Sequence, residues 1–281
     1  MRVTVTHGAA GSGVTFRAGP GIGTVTRPGL AIPPGEPAIN PVPRQMIRQA
    51  IAEIAAAHNA SGDVVVEISI PGGEALAERT LNGRLGIIGG LSVLGTTGIV
   101  IPFSCSAWIH SIHRGIDVAR ATGISHLAAS TGNNSEQAVK ALHNLPDVAL
   151  IEMGDFVGGM LKYLKTHPVP RLTIAGGVAK MTKLAQGRLD LHSKRGAVDF
   201  PGLATLAAQA GCDAATVEQV TTANTAALAF EIAGGLGDIV AAQAWNVAAA
   251  VLQGSGTELE IVLFDRQAML VGRAPFKTVH I

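Results

Sequence analysis

Along the first hundred residues, apolar and polar positions form short runs broken by turns. Val64, Val66, Ile68 and Ile70 alternate with Val65, Glu67 and Ser69, a period of two that predicts a strand. From Gln45 to His58 the period changes: Met46, Ile47, Ile51, Ile54 and Ala55 recur at three- and four-residue spacing, which predicts a helix with one apolar face. Met1-Arg2-Val3-Thr4-Val5-Thr6 alternates again and has no signal-peptide core. Gly19-Pro20-Gly21-Ile22-Gly23 and the stretch from Pro28 to Pro43 read as turns between these elements.

Near residue 105 the rhythm becomes regular. A helix through Ile109, Ile112, Ile116 and Ala119 ends before Gly123. Three strand–helix pairs follow: His126–Ala129 with Glu136–Leu145, Val148–Ile151 with Phe156–Lys165, and Leu172–Ala175 with Val178–Gln186, stopped by Gly187. Ala-rich helices fill 200–253, and Leu259–Val271 closes the chain as one or two strands. Repeated strand–helix units call for a parallel sheet covered by helices. The expected architecture is therefore an α+β half, residues 1–105, plus an α/β, Rossmann-like half, residues 106–281, with a mostly parallel, helix-covered sheet. No internal repeat is visible.

Composition narrows the partners. The chain has 281 residues and is 47% hydrophobic, enough for a substantial core. Lys+Arg 21 against Asp+Glu 20 lacks the basic excess of a nucleic-acid binder, and 4% aromatics leaves few stacking platforms. Gly 35 and Pro 14 imply many special backbone positions. Cys105 and Cys212 cannot build a disulfide framework, and no C-x-x-C or H-E-x-x-H cluster suggests a metal site. The default compartment is a reduced cytoplasm. Leu85–Ile109 carries no charge over a length that could span a bilayer. Its glycines, Pro102 and hydroxyls make it read instead as buried strand plus glycine turns, so no membrane segment is expected.

Ligands of parallel α/β sheets bind beyond the carboxyl ends of strands, against helix N-termini. Three such ends carry polar or acidic residues. The first is Ser130-Thr131-Gly132-Asn133-Asn134-Ser135-Glu136, the second Glu152-Met153-Gly154-Asp155, the third Gly176-Gly177. Glu152 lies about 20 residues beyond Gly132, where a nucleotide-binding fold puts the acid that accepts from a ribose hydroxyl. No full G-x-G-x-x-G occurs, and helix capping by Asn133, Asn134 or Ser135 explains the same pattern. Gly95-Thr96-Thr97-Gly98 interrupts an apolar run with two hydroxyls, which suits either a ligand contact or a tight turn. Arg17, Arg27, Arg44, Arg84, Lys180, Lys183, His192, Lys194 and Arg195 are donors that a multi-carboxylate ligand would need, or else ordinary surface charge. His192-Ser193 has no oriented third partner for nucleophilic catalysis, and Cys105 has no visible base.

Taken together, several segments resemble one family. They are Gly35-Glu36-Pro37-Ala38-Ile39-Asn40-Pro41-Val42-Pro43-Arg44, Pro71-Gly72-Gly73-Glu74, Thr80 to Ile87, Leu94 to Val100, Gly154-Asp155-Phe156-Val157-Gly158, Lys183-Leu184-Ala185-Gln186-Gly187 and His192-Ser193. In order, and over nearly the whole chain, they are similar to cobalt-precorrin-5B C-1-methyltransferases of anaerobic cobalamin synthesis. That family carries a further N-terminal section before the equivalent of Val5-Thr6-His7-Gly8, absent from this sequence. Asn133-Asn134 also stand where it shows Gly-Arg.

The resemblance implies methylation of C-1 on a cobalt-containing tetrapyrrole, with S-adenosylmethionine as donor and cobalt only as part of the substrate. Given that reaction, strand-end position and side-chain chemistry put the donor near Ser130, Thr131, Gly132, Asn133, Glu136, Glu152, Gly154 and Asp155, with Gly95 and Gly98 alongside. Thr96 and Thr97 would lie where donor and macrocycle meet, and Arg27, Arg44, Lys183 and His192 would address acetate and propionate groups. The competing expectation is a non-catalytic tetrapyrrole carrier or an inactive partner of a biosynthetic complex. A homo-oligomer, or contact with other enzymes of the pathway, is compatible with either.

Overall fold

The structure is a computed structural model and describes residues 1–95 and 104–280. The chain divides into two compact units, Met1–Ala107 and Trp108–Ile281.

In the first unit, β1 (Arg2–His7) and β2 (Val14–Ala18) flank a later strand, β5. The turn-rich stretch after β2 holds two-residue strands, β3 (Gly21–Ile22) and β4 (Thr24–Val25), and leads into α1 (Pro41–Ala57). β5 (Val64–Ser69) runs antiparallel to β1 and parallel to β2. After α2 (Gly73–Ala77), β6 (Ile87–Ile88) pairs with β4 and β7 (Gly90–Leu91) pairs with β3. The alternation read for β5 corresponds to its geometry, with Val66 and Ile68 buried.

Helix α1 differs from the expectation in two ways. It begins at Pro41, inside a stretch read as turn, because proline suits a first turn whose N–H groups have no intrahelical partner. Its apolar face is also only half covered. Ile47 and Ile51 pack against Ile22, Ile39, Val66 and Ile68, while Met46 and Ile54 are exposed.

The second unit begins within α3 (Cys105–Ala121) and alternates β8 (His126–Ser130), α4 (Asn133–His143), β9 (Leu150–Glu152), α5 (Val157–Thr166), β10 (Arg171–Gly177) and α6 (Val178–Ala185). Four more helices follow: α7 (Phe200–Gln209), α8 (Ala214–Thr221), α9 (Ala226–Ile232) and α10 (Leu236–Leu252). β11 (Glu258–Phe264) and β12 (Leu270–Thr278) complete a five-stranded sheet in the order β12-β11-β10-β8-β9. It is parallel except for β12. The fold of this unit is thus mixed α/β with a mostly parallel, helix-covered sheet.

The pleat sends Leu127, Ala129, Leu172, Ile174, Leu259, Ile261 and Leu263 to one face, against α3, α5, α6 and α10. Ala128, Ala175, Val262 and Phe264 meet Val139 of α4 on the other. Helix α10 reaches β12 at a glycine pair: a Cβ on Gly237 would stand 1.7 Å from the Val271 carbonyl oxygen. Strand order fixes where the sheet opens. β8 leads through α4 to β9 on one side, while β10 leads through α6 and the later helices to β11 on the other. Connections therefore part beyond the carboxyl ends of β8 and β10, which leaves a crevice there.

Candidate functional site

A cavity of about 1160 Å³ lies at that crevice. Its lining includes Thr131–Ser135 from the β8–α4 junction, Gly177–Lys180 and Lys183 from the β10–α6 junction, and Gly234, Gly235 and Gly237 around the start of α10. Three helices with glycine N-caps (Gly132, Gly177 and Gly235) begin at this wall, and none of these caps offers a side-chain acceptor. Elsewhere in the unit, Asp199, Asp213 and Thr225 cap α7, α8 and α9 in the ordinary way, each accepting from a backbone N–H.

The residues singled out from sequence fall into several groups. Thr131, Gly132, Asn133 and Lys183 line the cavity. Lys183 is buried, and its Nζ donates to the Leu191 carbonyl at 3.0 Å. Ser130 and Glu136 lie beneath the wall, both buried, with the Ser130 hydroxyl 3.5 Å from Glu136 Oε2. Glu152, Gly154 and Asp155 do not line the cavity but are joined to it through Lys180. That ammonium donates to the Thr131 carbonyl at 2.8 Å and stands 3.0 Å from Asp155 Oδ1, tying the ends of β8 and β9 together. Gly154 turns with φ +57, and a Cβ there would lie 3.7 Å from Nε1 of the half-exposed Trp108 indole.

The basic residues nearer the chain's start have other engagements. In the first unit, Arg44 donates from Nε to the Ile39 carbonyl (2.8 Å), from Nη2 to the Pro37 carbonyl (2.9 Å) and from Nη1 to Glu36 (2.9 Å). The Gly35–Arg44 segment is thereby a self-closing clamp, with its guanidinium also over the Phe16 ring. Arg27 donates to the Arg84 carbonyl, and its stem lies across Gly86. His192 is exposed, and its Nδ1 accepts from Lys194 N–H. Gly95 is exposed, with φ +143. Thr96, Thr97 and Gly98 lie outside the described residues.

Sequence reading missed two features. One is the α10 wall, signalled only by the Gly234-Gly235 pair ahead of a long Ala-rich helix. The other is a polar network on the α4 face of the sheet. Glu260, fully buried in β11, accepts from Arg273 Nε (2.8 Å) on one oxygen and from the Thr173 hydroxyl (2.8 Å) on the other. His143 Nε2 lies 2.6 Å from that second oxygen. Since the Thr173 proton is committed to Glu260, His126 Nε2, 2.8 Å from the same hydroxyl, must be the donor there. Burial, then the neighbouring His143, pushes His126 down to about 4, consistent with a neutral donor ring. Among the described residues no cluster of His, Cys, Asp and Glu suits a metal ion, and no helix is long and apolar enough to cross a membrane.

Residues 1–102 match the family described as CbiD, and residues 190–275 match the one described as CbiD, C-terminal domain. The chain is 60% identical to the cobalt-precorrin-5B C(1)-methyltransferase of Agrobacterium fabrum, over 99% of this chain and 74% of that protein. It is also 60% identical to the protein of the same name from a Bradyrhizobium species, over 97% of this chain and 74% of that one. A crystal structure of a cobalamin biosynthesis protein (cbiD) from Archaeoglobus fulgidus matches at 24% identity, over 69% of this chain and 58% of that one. Its TM-score of 0.30 is too low for the superposition to bear on the fold.

Proposed function

The chain belongs to the CbiD family, and from that membership we propose that it transfers a methyl group from S-adenosylmethionine to C-1 of cobalt-precorrin-5B, giving cobalt-precorrin-6A. The observation that carries this reading is the 60% identity, over 99% of the chain, to a protein named for that reaction. When bound, the donor supplies a methyl group on a cationic sulfur, and cobalt arrives as part of the substrate.

The residues at the open end of β8 and β9 fit such a donor. Glu152 and Asp155 are partly exposed carboxylates, suited to ribose hydroxyls and to a cationic ligand, and the Trp108 indole offers a flat apolar surface to a base. Thr131 supplies a hydroxyl, Gly154 shapes the turn, and the buried Ser130–Glu136 pair supports the end of β8 from below. Lys183 addresses a carboxylate of the macrocycle. The protein's main work is orientation. Holding two reactants in line contributes about 7–11 kcal/mol without any acid or base.

Anaerobic incubation with cobalt-precorrin-5B and methyl-labelled S-adenosylmethionine tests the reading. Label at C-1 is expected. Label at another carbon overturns the regiochemistry, and no label overturns the enzyme assignment.

A further inference from the structure

The glycines of the cavity wall carry information beyond methyl transfer. Gly132 has φ 168 and Gly177 has φ −70, torsions open to any residue. Nor does packing require them: among the described residues, chain neighbours aside, a Cβ on Gly132, Gly177 or Gly235 would meet no atom within 4 Å. Gly176 shows the contrast, since its Cβ would strike Met181 Sδ at 2.6 Å. First-turn N–H groups of α4 and α6 have no intrahelical partner, and no side chain at Gly132 or Gly177 caps them.

The lining holds carboxylates as well as ammonium groups: Asp265 accepts from the Gln267 and Met269 N–H groups, and Glu231 is exposed, so the groups that favour an anion are those at the α6 end. Helix α6 has a glycine cap, no side-chain acceptor and no acid in its first turn, so its N-terminal partial charge is uncompensated. Helices α4 and α10 do carry first-turn acids, Glu136 and Asp238. Asp238 Oδ1, however, accepts from Arg273 N–H. Lys183, on α6, is 7% exposed and has a single carbonyl as partner; among the described residues no carboxylate pairs with it. A buried ammonium without a counter-charge is costly unless the ligand brings one.

We propose that this cavity is the carboxylate-recognition pocket of the macrocycle: acetate or propionate groups seat against the N–H groups at Gly132–Asn134 and Gly177–Ala179, paired with Lys183. The methyl donor, a cation at sulfur, is thereby directed to the acidic side at Glu152 and Asp155. The identity of the polyacid rests on the proposed methyl transfer; the anion specificity of the cavity does not.

The test measures equilibrium binding, followed by quenching of tryptophan emission, of a cobalt corrin with free rim carboxylates and of the same corrin as its full methyl ester. Free acid should bind at least about tenfold tighter than ester, because a hydrogen bond to a charged group is worth a tenfold or larger factor, and that margin should shrink as salt rises. Gly177→Asp places the protein's own carboxylate at the α6 cap. It should hold or raise the melting temperature, since aspartate is a good N-cap, yet weaken free-acid binding by about a hundredfold through like-charge exclusion. Lys183→Met should remove most of the acid-over-ester margin, while calorimetry shows S-adenosylmethionine binding within about twofold of the parent.

Equal binding of acid and ester, or a folded Gly177→Asp protein that binds acid like the parent, overturns the proposal. So does a Lys183→Met protein that loses the donor and keeps the corrin. Methyl transfer is measured separately on the parent protein. Charge-blind corrin binding alongside C-1 methylation sinks the pocket assignment and leaves the enzyme reading standing; the opposite pair of results does the reverse.

Discussion

In Trp108–Ile281 one large apolar cluster runs along a face of the five-stranded sheet, from Ile112 of α3 to Leu263 of β11, with a second beneath α4. Among the described residues of Met1–Ala107 the buried apolar side chains fall into two groups of four, around Ile39 and around Val25. Strand β1 is exposed throughout, and α1 has no buried residue. What holds the first unit is largely backbone and polar contact. Gly21, Gly73 and Gly90 pack backbone to backbone, and Arg44 clamps the Gly35–Arg44 loop. The second unit relies on area removed from water, which tolerates small changes in shape. The first relies on close fits, which do not.

Substitutions can break this contrast, and Gly21→Ala should have the largest effect. The residue has φ +81, and its Cβ would lie 1.9 Å from the Ile70 carbonyl oxygen, against rigid backbone. We expect a loss of about 4 kcal/mol or more, read as lost amide protection in 21–25 and 87–91. Retained protection there would remove the close-fit account.

Next is Glu260→Ala, expected to cost about 3–5 kcal/mol because it strands Arg273 and His143 beside a buried hole. Both tryptophans, Trp108 and Trp245, lie in the second unit, so denaturant unfolding followed by their emission reports it directly. Glu260→Gln should recover part of the loss.

Arg44→Lys comes third, at about 2–3 kcal/mol, since an ammonium cannot span the Ile39, Pro37 and Glu36 oxygens together. A variant with parental stability and weakened corrin binding would instead return Arg44 to the substrate.

The effect of pH is gentler. His126 is held neutral in the folded protein at about 4 but titrates near 6.5 once unfolded. The unfolded state therefore binds the extra proton first, and stability falls as pH drops from 6.5 toward 4. His126→Gln, which keeps a donor for Thr173, should flatten that slope; an unchanged slope would assign it to other groups. Smallest of all is Ile54→Ser on the exposed face of α1, expected within about 0.5 kcal/mol by thermal melt.

The sequence made much of this legible. Periodicity located β5, most of α1 and the alternating elements from α3 to α6, because burial on one face repeats at the spacing of the element itself. Its errors have physical causes. Helix α1 started early because proline fits a first helical turn as well as a loop. The loop-clamping contacts of Arg44 were not foreseen because a sequence does not show which acceptors its own loop will present. Glu260, Thr173, His126 and His143 went unnoticed because they are far apart along the chain and meet only through strand register.

Residue order alone settled the family, the mostly parallel sheet of the second unit and the strand ends at which polar residues gather, since these depend on local pattern and on motifs read in sequence. Only the tertiary structure decided which strand ends face one crevice, which glycines open onto it, and that Lys183 lies buried there with no carboxylate among the described residues paired to it. Those facts follow from strand order and packing, and both join residues that the chain itself keeps dozens of positions apart.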